Sequence, residues 1–217
     1  MNSPPLWMAA LADAAQSMTV PPQMRPPVHG GRESAVLILF GEGPQGPDLL
    51  LIQRNKGLRR HAGQPAFPGG RIEIDDFSPE AAALREAEEE TGLRPEGVEV
   101  LCRLPELYLS FSNFRVVPVL GWWHTPSEVH PADIGEVAAV ARVPVADRVD
   151  PANRVMVRYG EGSHWTPGFR VADMLVWGFT GTIVDRLLSL GGWELPWRLE
   201  GLTDVFEATS QGLRPVG

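Results

Sequence analysis

A chain of 217 residues, 43% hydrophobic and 21% charged, has the make-up of a soluble protein that buries a core and fits one globular domain with short extensions. Its net charge of −8 leaves no dominant basic footprint, which argues against a duplex nucleic-acid binder. A lone cysteine, Cys102, excludes an intrachain disulfide and a cysteine-based zinc site, and beside Val100 and Leu101 it is expected to pack as a small core residue. The apolar run from Ala35 to Phe40 is far too short to cross a bilayer. The small-residue stretch from Met8 to Ala15 has no basic leader and is interrupted by Asp13, so no signal peptide is read there and a cytoplasmic location is expected.

In chain order, residues 1–33 read as an N-terminal arm, with a short helix over Leu6 to Gln16 and a proline-rich stretch, Pro21 to Pro27, that can be neither helical nor a central strand. Ala35 to Phe40 and Leu49 to Gln53 predict two strands of a hairpin joined by the Gly/Pro turn from Gly41 to Pro47. Gly57 to Gly70 is loop-like. Ser78 to Thr91 is the clearest helix. Val98 to Leu104, Arg115 to Trp122 and Val137 to Val143 predict strands, and Val171 to Leu190 a mostly apolar helix. Beyond about residue 200 a loose tail is expected. Strands interleaved with helices argue for an α/β sandwich, with a central domain over 34–190 and a C-terminal extension over 191–217.

The helix carries the chemistry. Ser78 suits the N-cap, Pro79 the first helical position, and Gly92 a left-handed C-terminal cap. Glu86, Glu89 and Glu90 lie three and four residues apart, so they share a face, while Ala83, Leu84, Ala87 and Thr91 can pack on a sheet. Like charges at that spacing cost a few tenths of a kcal/mol each and sit at the wrong end of the dipole. Arg85 can relieve part of this by pairing with Glu89. An isolated E-x-x-E-E is usually just a solvated acidic face. Just upstream, however, Gly69-Gly70 lets backbone carbonyls approach a ligand with no Cβ in the way. Hard oxygens on one patch suit Mg²⁺, which shares its remaining positions with water and substrate phosphates.

The run from Gly70 to Leu93, GRIEIDDFSPEAAALREAEEETGL, resembles the Nudix box: glycine, five residues, an acid, a spacer, then R-E-apolar-x-E-E-x-G-apolar. Arg85, Glu86, Ala87, Glu89, Glu90, Gly92 and Leu93 match. The acid is Asp76 rather than Glu, and the spacer to Arg85 has eight residues rather than seven. The preceding segment, Leu49 to Gly70, resembles the additional signature of the coenzyme A pyrophosphatase branch of that family. It matches at Arg54, Leu58, Arg59, His61, Gly63, Gln64, Phe67, Pro68, Gly69 and Gly70, with Asn55 in place of a serine. That branch commonly carries the aspartate and the longer spacer. Phe114 to Val119 and the segments around Glu136 and Val143-Pro144 look similar to it too, so the resemblance spans about 34–190.

The resemblance implies an α/β/α sandwich with a mixed sheet. It implies metal-dependent hydrolysis of a phosphoanhydride, with coenzyme A or its derivatives cut to adenosine 3′,5′-bisphosphate and 4′-phosphopantetheine. Mg²⁺ (or Mn²⁺) would be held by Glu86, Glu90, Glu89 and the Gly70 carbonyl. Glu89 is the first candidate for general base and Glu136 the second, with Arg85 orienting the glutamates. Arg54, Arg59, His61, Gly63 and Gln64 are the substrate-binding candidates; Arg60 and Lys56 can equally be solvated loop charges, and His61 can pin its loop as readily as it can bind phosphate. His124, His130 and His164 show no metal-ligand spacing, and of Trp122-Trp123 one ring is expected in the core, with stacking on an adenine the lesser alternative. The partner implied is a small nucleoside diphosphate, with no nucleic acid and no membrane; a homodimer is the assembly allowed for. Two rivals stand beside this reading: a family member acting on another nucleoside diphosphate derivative such as ADP-ribose, and a ligand sensor that binds without cleaving. The intact carboxylates argue against the sensor.

Overall fold

In a computed structural model, the structure describes residues 3–58, 61–159, 164–197 and 202–204. In chain order the elements are helix α1 (Leu6–Gln16), strands β1 (Arg32–Gly43), β2 (Gly46–Arg54), β3 (Pro65–Ala66) and β4 (Gly69–Arg71), helix α2 (Pro79–Thr91), strands β5 (Val98–Arg103), β6 (Leu107–Leu109), β7 (Phe114–Trp123) and β8 (Val137–Pro144), the short helix α3 (Val145–Val149), strands β9 (Arg154–Tyr159), β10 (His164–Val171) and β11 (Met174–Val176), helix α4 (Gly178–Leu190) and strand β12 (Leu202–Asp204).

The main sheet is mixed. β1 and β2 form the expected antiparallel hairpin, with Gly43 paired to Gly46, and β1 runs parallel to β7 from Arg32↔Phe114 to Phe40↔Trp122. β5 and β6 pair antiparallel with β7, β4 with the start of β1, and β3 and β8 with β2. Because strand side chains alternate, β1 supplies two cores. Ala35, Leu37 and Leu39 pack with Ala82, Ala83 and Ala87 of α2 on one face. Ile38 and Phe40 pack on the other face with Met8, Leu11 and Ala15 of α1 and Ile183, Val184 and Leu187 of α4. The result is the α/β/α sandwich. The alanine-rich face of α2 matters here, because small side chains let the helix lie close to the sheet.

Trp7 of α1 meets Phe40, Trp122 and Trp193 edge to face at 5.9, 5.7 and 5.2 Å, which fixes the N-terminal helix against the domain. Trp122 and Trp123 are both buried, one in each core. Cys102 is buried as expected, its thiol donating to the Ala12 carbonyl at 3.6 Å.

Four expectations need correction. The stretch from Gly57 to Gly70, read as loop-like, holds β3 and the start of β4, short strands that take their place only by pairing with β2 and β1. The proline-rich stretch contains a 3₁₀ turn, Pro22–Met24, a short form that tolerates proline at its first positions. The apolar run from Val171 is helical only from Gly178. Val171 ends β10, Ala172 and Asp173 turn with φ of 49° and 57°, and Met174–Val176 return as β11. A strand buried on both faces has no polar alternation, so periodicity alone cannot separate it from a buried helix. Part of the tail, Leu202–Asp204, adds a parallel strand beside β9 and completes a second sheet in the order β11-β10-β9-β12. Among the described residues no helix is long and apolar enough to cross a membrane.

Candidate active site

Helix α2 begins and ends where its capping residues dictate. The Ser78 hydroxyl accepts the Ala81 N–H at 3.2 Å, a cap typically worth about 1 kcal/mol. Gly92 takes the left-handed conformation at φ 67°, and its N–H donates to the Glu88 carbonyl at 2.8 Å. The helix is thereby held with Glu86 and Glu90 aimed at β4, while Glu89 points outward. The Glu90 side chain is 5% exposed, that of Glu86 17% and that of Glu89 57%, so burial grades the three carboxylates that the sequence places on one face.

Both glycines of β4 are used for close approach. A Cβ on Gly69 would fall 2.4 Å from the Ala35 carbonyl oxygen, and one on Gly70 would fall 2.4 Å from the Glu86 carboxylate. The Glu86 carboxylate therefore lies directly over the Gly70 backbone. Glu90 reaches the same strand, its Oε2 accepting the Gly69 N–H at 2.9 Å.

Two arginines hold these acids. The Arg85 guanidinium forks onto Asp76, with Nε–Oδ1 3.0 Å and Nη2–Oδ2 2.9 Å, and also donates to the Arg71 carbonyl at 3.0 Å. Its remaining nitrogen, Nη1, reaches Glu86 at 3.1 Å and Glu89 at 3.3 Å. Every donor direction is engaged within the site, so Arg85 orients carboxylates. The Arg85 hydrogen bonds, together with the Glu73 N–H, hold the Asp76 carboxyl below its usual range. The Asp76–Arg85 fork joins residues nine apart, one in the loop and one on the helix, and helical spacing could not reveal it. Arg54, at the end of β2, sits between Glu90 (3.6 Å) and Glu136 (3.5 Å). Glu136 comes from the loop before β8 and is tied in by its backbone, the Asn55 N–H donating to its carbonyl at 2.7 Å.

The upstream substrate-binding candidates cluster beside this group. The Arg54 N–H donates to the Gln64 carbonyl (3.0 Å) and the Gly63 N–H to the Arg54 carbonyl (3.1 Å), and Gly63 has φ 70°. His61 Nδ1 lies 2.8 Å from Gln64 Oε1, the geometry of a loop pin. Arg59 and Arg60 lie outside the described residues. His124 Nδ1 lies 2.8 Å from the hydroxyl of its neighbour Thr125, and the His130 ring packs at Gly92.

Among the described residues no three or more His, Cys, Asp or Glu side chains form a ready-made metal cage. The reason is local: the carboxylates are turned onto Arg85, Arg54 and the Gly69 N–H. The donor set still fits a hard divalent cation. Burial pushes the Glu90 carboxyl up to about 8, opposed by the Gly69 N–H and Arg54 and reinforced by Glu86 and Glu136. Burial likewise raises Glu86, opposed by Arg85 and reinforced by Glu89 and Glu136. Converging acids that destabilise one another's charge are a place where a cation is favoured.

A stability consequence follows from the raised Glu90. In the metal-free protein the folded state holds this proton from the ordinary carboxyl value near 4.5 up to about 8. The contribution is therefore full below about pH 4.5 and is lost as pH rises through 8. The melting temperature in chelator is expected to fall across that window more steeply for wild type than for Glu90→Gln. Equal slopes would show that Glu90 is not the titrating group.

A model of the NUDIX domain matches residues 31–159. The chain is 40% identical over 177 residues to the uncharacterized Nudix hydrolase NudL of Escherichia coli K12, covering 78% of this chain and 88% of that protein. It is 38% identical over 177 residues to NudL of Pectobacterium atrosepticum, with the same coverage. Among solved structures, a Nudix hydrolase from M. smegmatis, RenU, is similar at 27% identity and a TM-score of 0.45, covering 55% of this chain and 76% of that one. The chain belongs to the Nudix hydrolase family, whose members act on nucleoside diphosphate derivatives and generally use divalent metal ions.

Proposed function

We propose that this protein hydrolyses the pyrophosphate of coenzyme A or its derivatives in the cytoplasm, using Mg²⁺ or Mn²⁺, to give adenosine 3′,5′-bisphosphate and 4′-phosphopantetheine. The observation that carries the hydrolytic part is the packing of Glu86 over Gly70 and of buried Glu90 against the Gly69 N–H. The choice of coenzyme A is supported by the segment from Arg54 to Gly70, where Gly63, Gln64 and His61 form a compact turn on the backbone of Arg54.

Glu86, Glu90, Glu89 and the Gly70 carbonyl are the groups that would hold the metal. When bound, the cation supplies charge neutralisation for the diphosphate and acidifies water. Asp76 steadies Arg85, which in turn holds Glu86 and Glu89 at fixed angles. Arg54 faces the site with part of its guanidinium exposed and can turn from the glutamates to substrate oxygens; Arg59 is proposed to join it. Glu89, exposed at the rim, accepts a proton from the water that attacks phosphorus, and the P–O–P bridge breaks as the second phosphate leaves. Phosphoryl transfer depends mostly on positioning and charge stabilisation, which these groups provide.

A turnover screen with Mg²⁺ against coenzyme A, dephospho-coenzyme A, ADP-ribose and dinucleoside polyphosphates tests the reading. Coenzyme A is expected to show the highest kcat/KM, with the two named products in equal amounts. Loss of its 3′-phosphate should cost roughly one to two decades, the scale of hydrogen bonds to a charged group. Faster turnover of ADP-ribose would move the substrate assignment and leave the metal chemistry standing.

A further inference from the structure

Phe111 is a large apolar side chain held in water by a rigid turn. It lies between β6 and β7 and is 69% exposed. The turn is braced throughout. The Ser112 N–H donates to the Leu109 carbonyl (3.2 Å), Arg32 Nη2 to the Ser112 carbonyl (2.6 Å), and the Arg32 N–H to the Asn113 carbonyl (2.8 Å). Tyr108 Oη lies 3.0 Å from Asn113 Oδ1, and Asn113 takes the left-handed conformation at φ 58°, which asparagine tolerates. Ser112, next to Phe111, is buried at 3% exposure. These bonds hold the backbone of the turn, which presents the Phe111 side chain to solvent.

The ring has one neighbour of note. His61 meets it edge to face, with centroids 5.4 Å apart and planes at 61°. His61 is itself fixed, with φ 55° and its Nδ1 on Gln64. It comes from the loop after β2, whereas Phe111 comes from the turn before β7, and those strands flank β1 on opposite sides. The contact therefore spans the end of the sheet where β1 begins. Gly69 and Gly70 pair with Val36 and Ala35 at that same end, and Phe114 pairs with Arg32. The turn carrying Phe111 thus lies beyond the start of β1, three to four residues along that strand from Gly69–Gly70. Phe111 is joined to the carboxylate site through its neighbour: His61 is held by Gln64, the Gln64 carbonyl accepts the Arg54 N–H, and Arg54 pairs with Glu90.

We propose that Phe111, steadied by His61, is the stacking platform for the nucleobase of the substrate. The inference rests on the nucleoside diphosphate reading of the Glu86–Glu90 site and adds the residue that recognises the base. His61 meets the ring in a T-shaped contact, and most of the Phe111 side chain stays exposed to solvent. A planar, weakly hydrated base is the component of such a substrate that gains from an aromatic face. The diphosphate needs charge, and the ribose needs hydrogen bonds.

The test uses the full chain with Mg²⁺ and calorimetric titration of two probes, ADP and inorganic pyrophosphate. Phe111→Ala is expected to weaken ADP binding about ten-fold, within the range for loss of base–aromatic stacking, and to leave pyrophosphate unchanged. Phe111→Trp should restore ADP affinity, and its added indole fluorescence should respond to ADP and not to pyrophosphate. Melting temperatures of both variants should match wild type, since the ring is exposed. Unchanged ADP affinity in Phe111→Ala, or an equal loss for both probes, overturns the proposal. A wild-type protein that binds neither probe overturns the diphosphate reading beneath it as well, so the two failures are distinguishable.

Discussion

Glu86→Gln and Glu90→Gln should each fold as wild type does and lose most turnover. Both substitutions keep the side-chain shape and replace a carboxyl that burial already disfavours as an anion. Glutamine at position 90 can still accept the Gly69 N–H through its amide oxygen, and Arg54 keeps Glu136. The metal-free melting temperature is therefore expected to hold or rise. Catalysis should suffer differently. Loss of a group that only supports a metal ligand costs roughly 10–100-fold, so loss of a ligand itself should cost at least that much in kcat at saturating Mg²⁺. Saturating Mg²⁺ should also raise the wild-type melting temperature, because a ligand bound only to the folded state stabilises it by mass action, and this shift should shrink in both variants. Near wild-type turnover in either one removes that residue from the metal site.

The legibility of this site in the sequence follows the range of the interactions. Helix α2 could be read to the residue because its determinants are local: Ser78 and Gly92 set its ends, and four-residue spacing puts Glu86 and Glu90 on one face. The strands β1, β2, β7 and β8 were legible as apolar runs between turn residues. What spacing could not supply were contacts between distant segments. Arg54 and Glu90 are 36 positions apart, and only the pairing of β2 and β4 with their neighbours brings them together. Asp76 looked like a departure from the family pattern, yet it is the carboxylate that holds Arg85. The second sheet was misread for a different reason. Met174, Leu175 and Val176 are all buried, so that strand shows no alternation, and the turn before it is made by Ala172 and Asp173 rather than by glycine.

Glu89→Gln should lower kcat by about 10²–10⁴-fold, the usual value of general-base catalysis, while weakening metal affinity far less than Glu90→Gln does. The proposed division of roles follows a difference in exposure. Glu90 is buried against β4, whereas Glu89 is 57% exposed and pairs with Arg85 at 3.3 Å. A base must meet water and accept its proton, and an exposed carboxylate on the rim can do so without leaving the site. Glu136 is the comparator, with a side chain 53% exposed and an ion pair to Arg54. Arg85 constrains the direction of Glu89, so Glu89→Asp should recover less than a freely mobile group would, because the shorter arm must choose between Arg85 and water. Metal affinity is read by calorimetry with Mn²⁺, and kcat under metal saturation, so the two effects are not confused. If Glu89→Gln keeps its kcat, the proton goes elsewhere. Glu136→Gln should then show the deficit, and an unchanged kcat in both variants would exclude either carboxylate as the base.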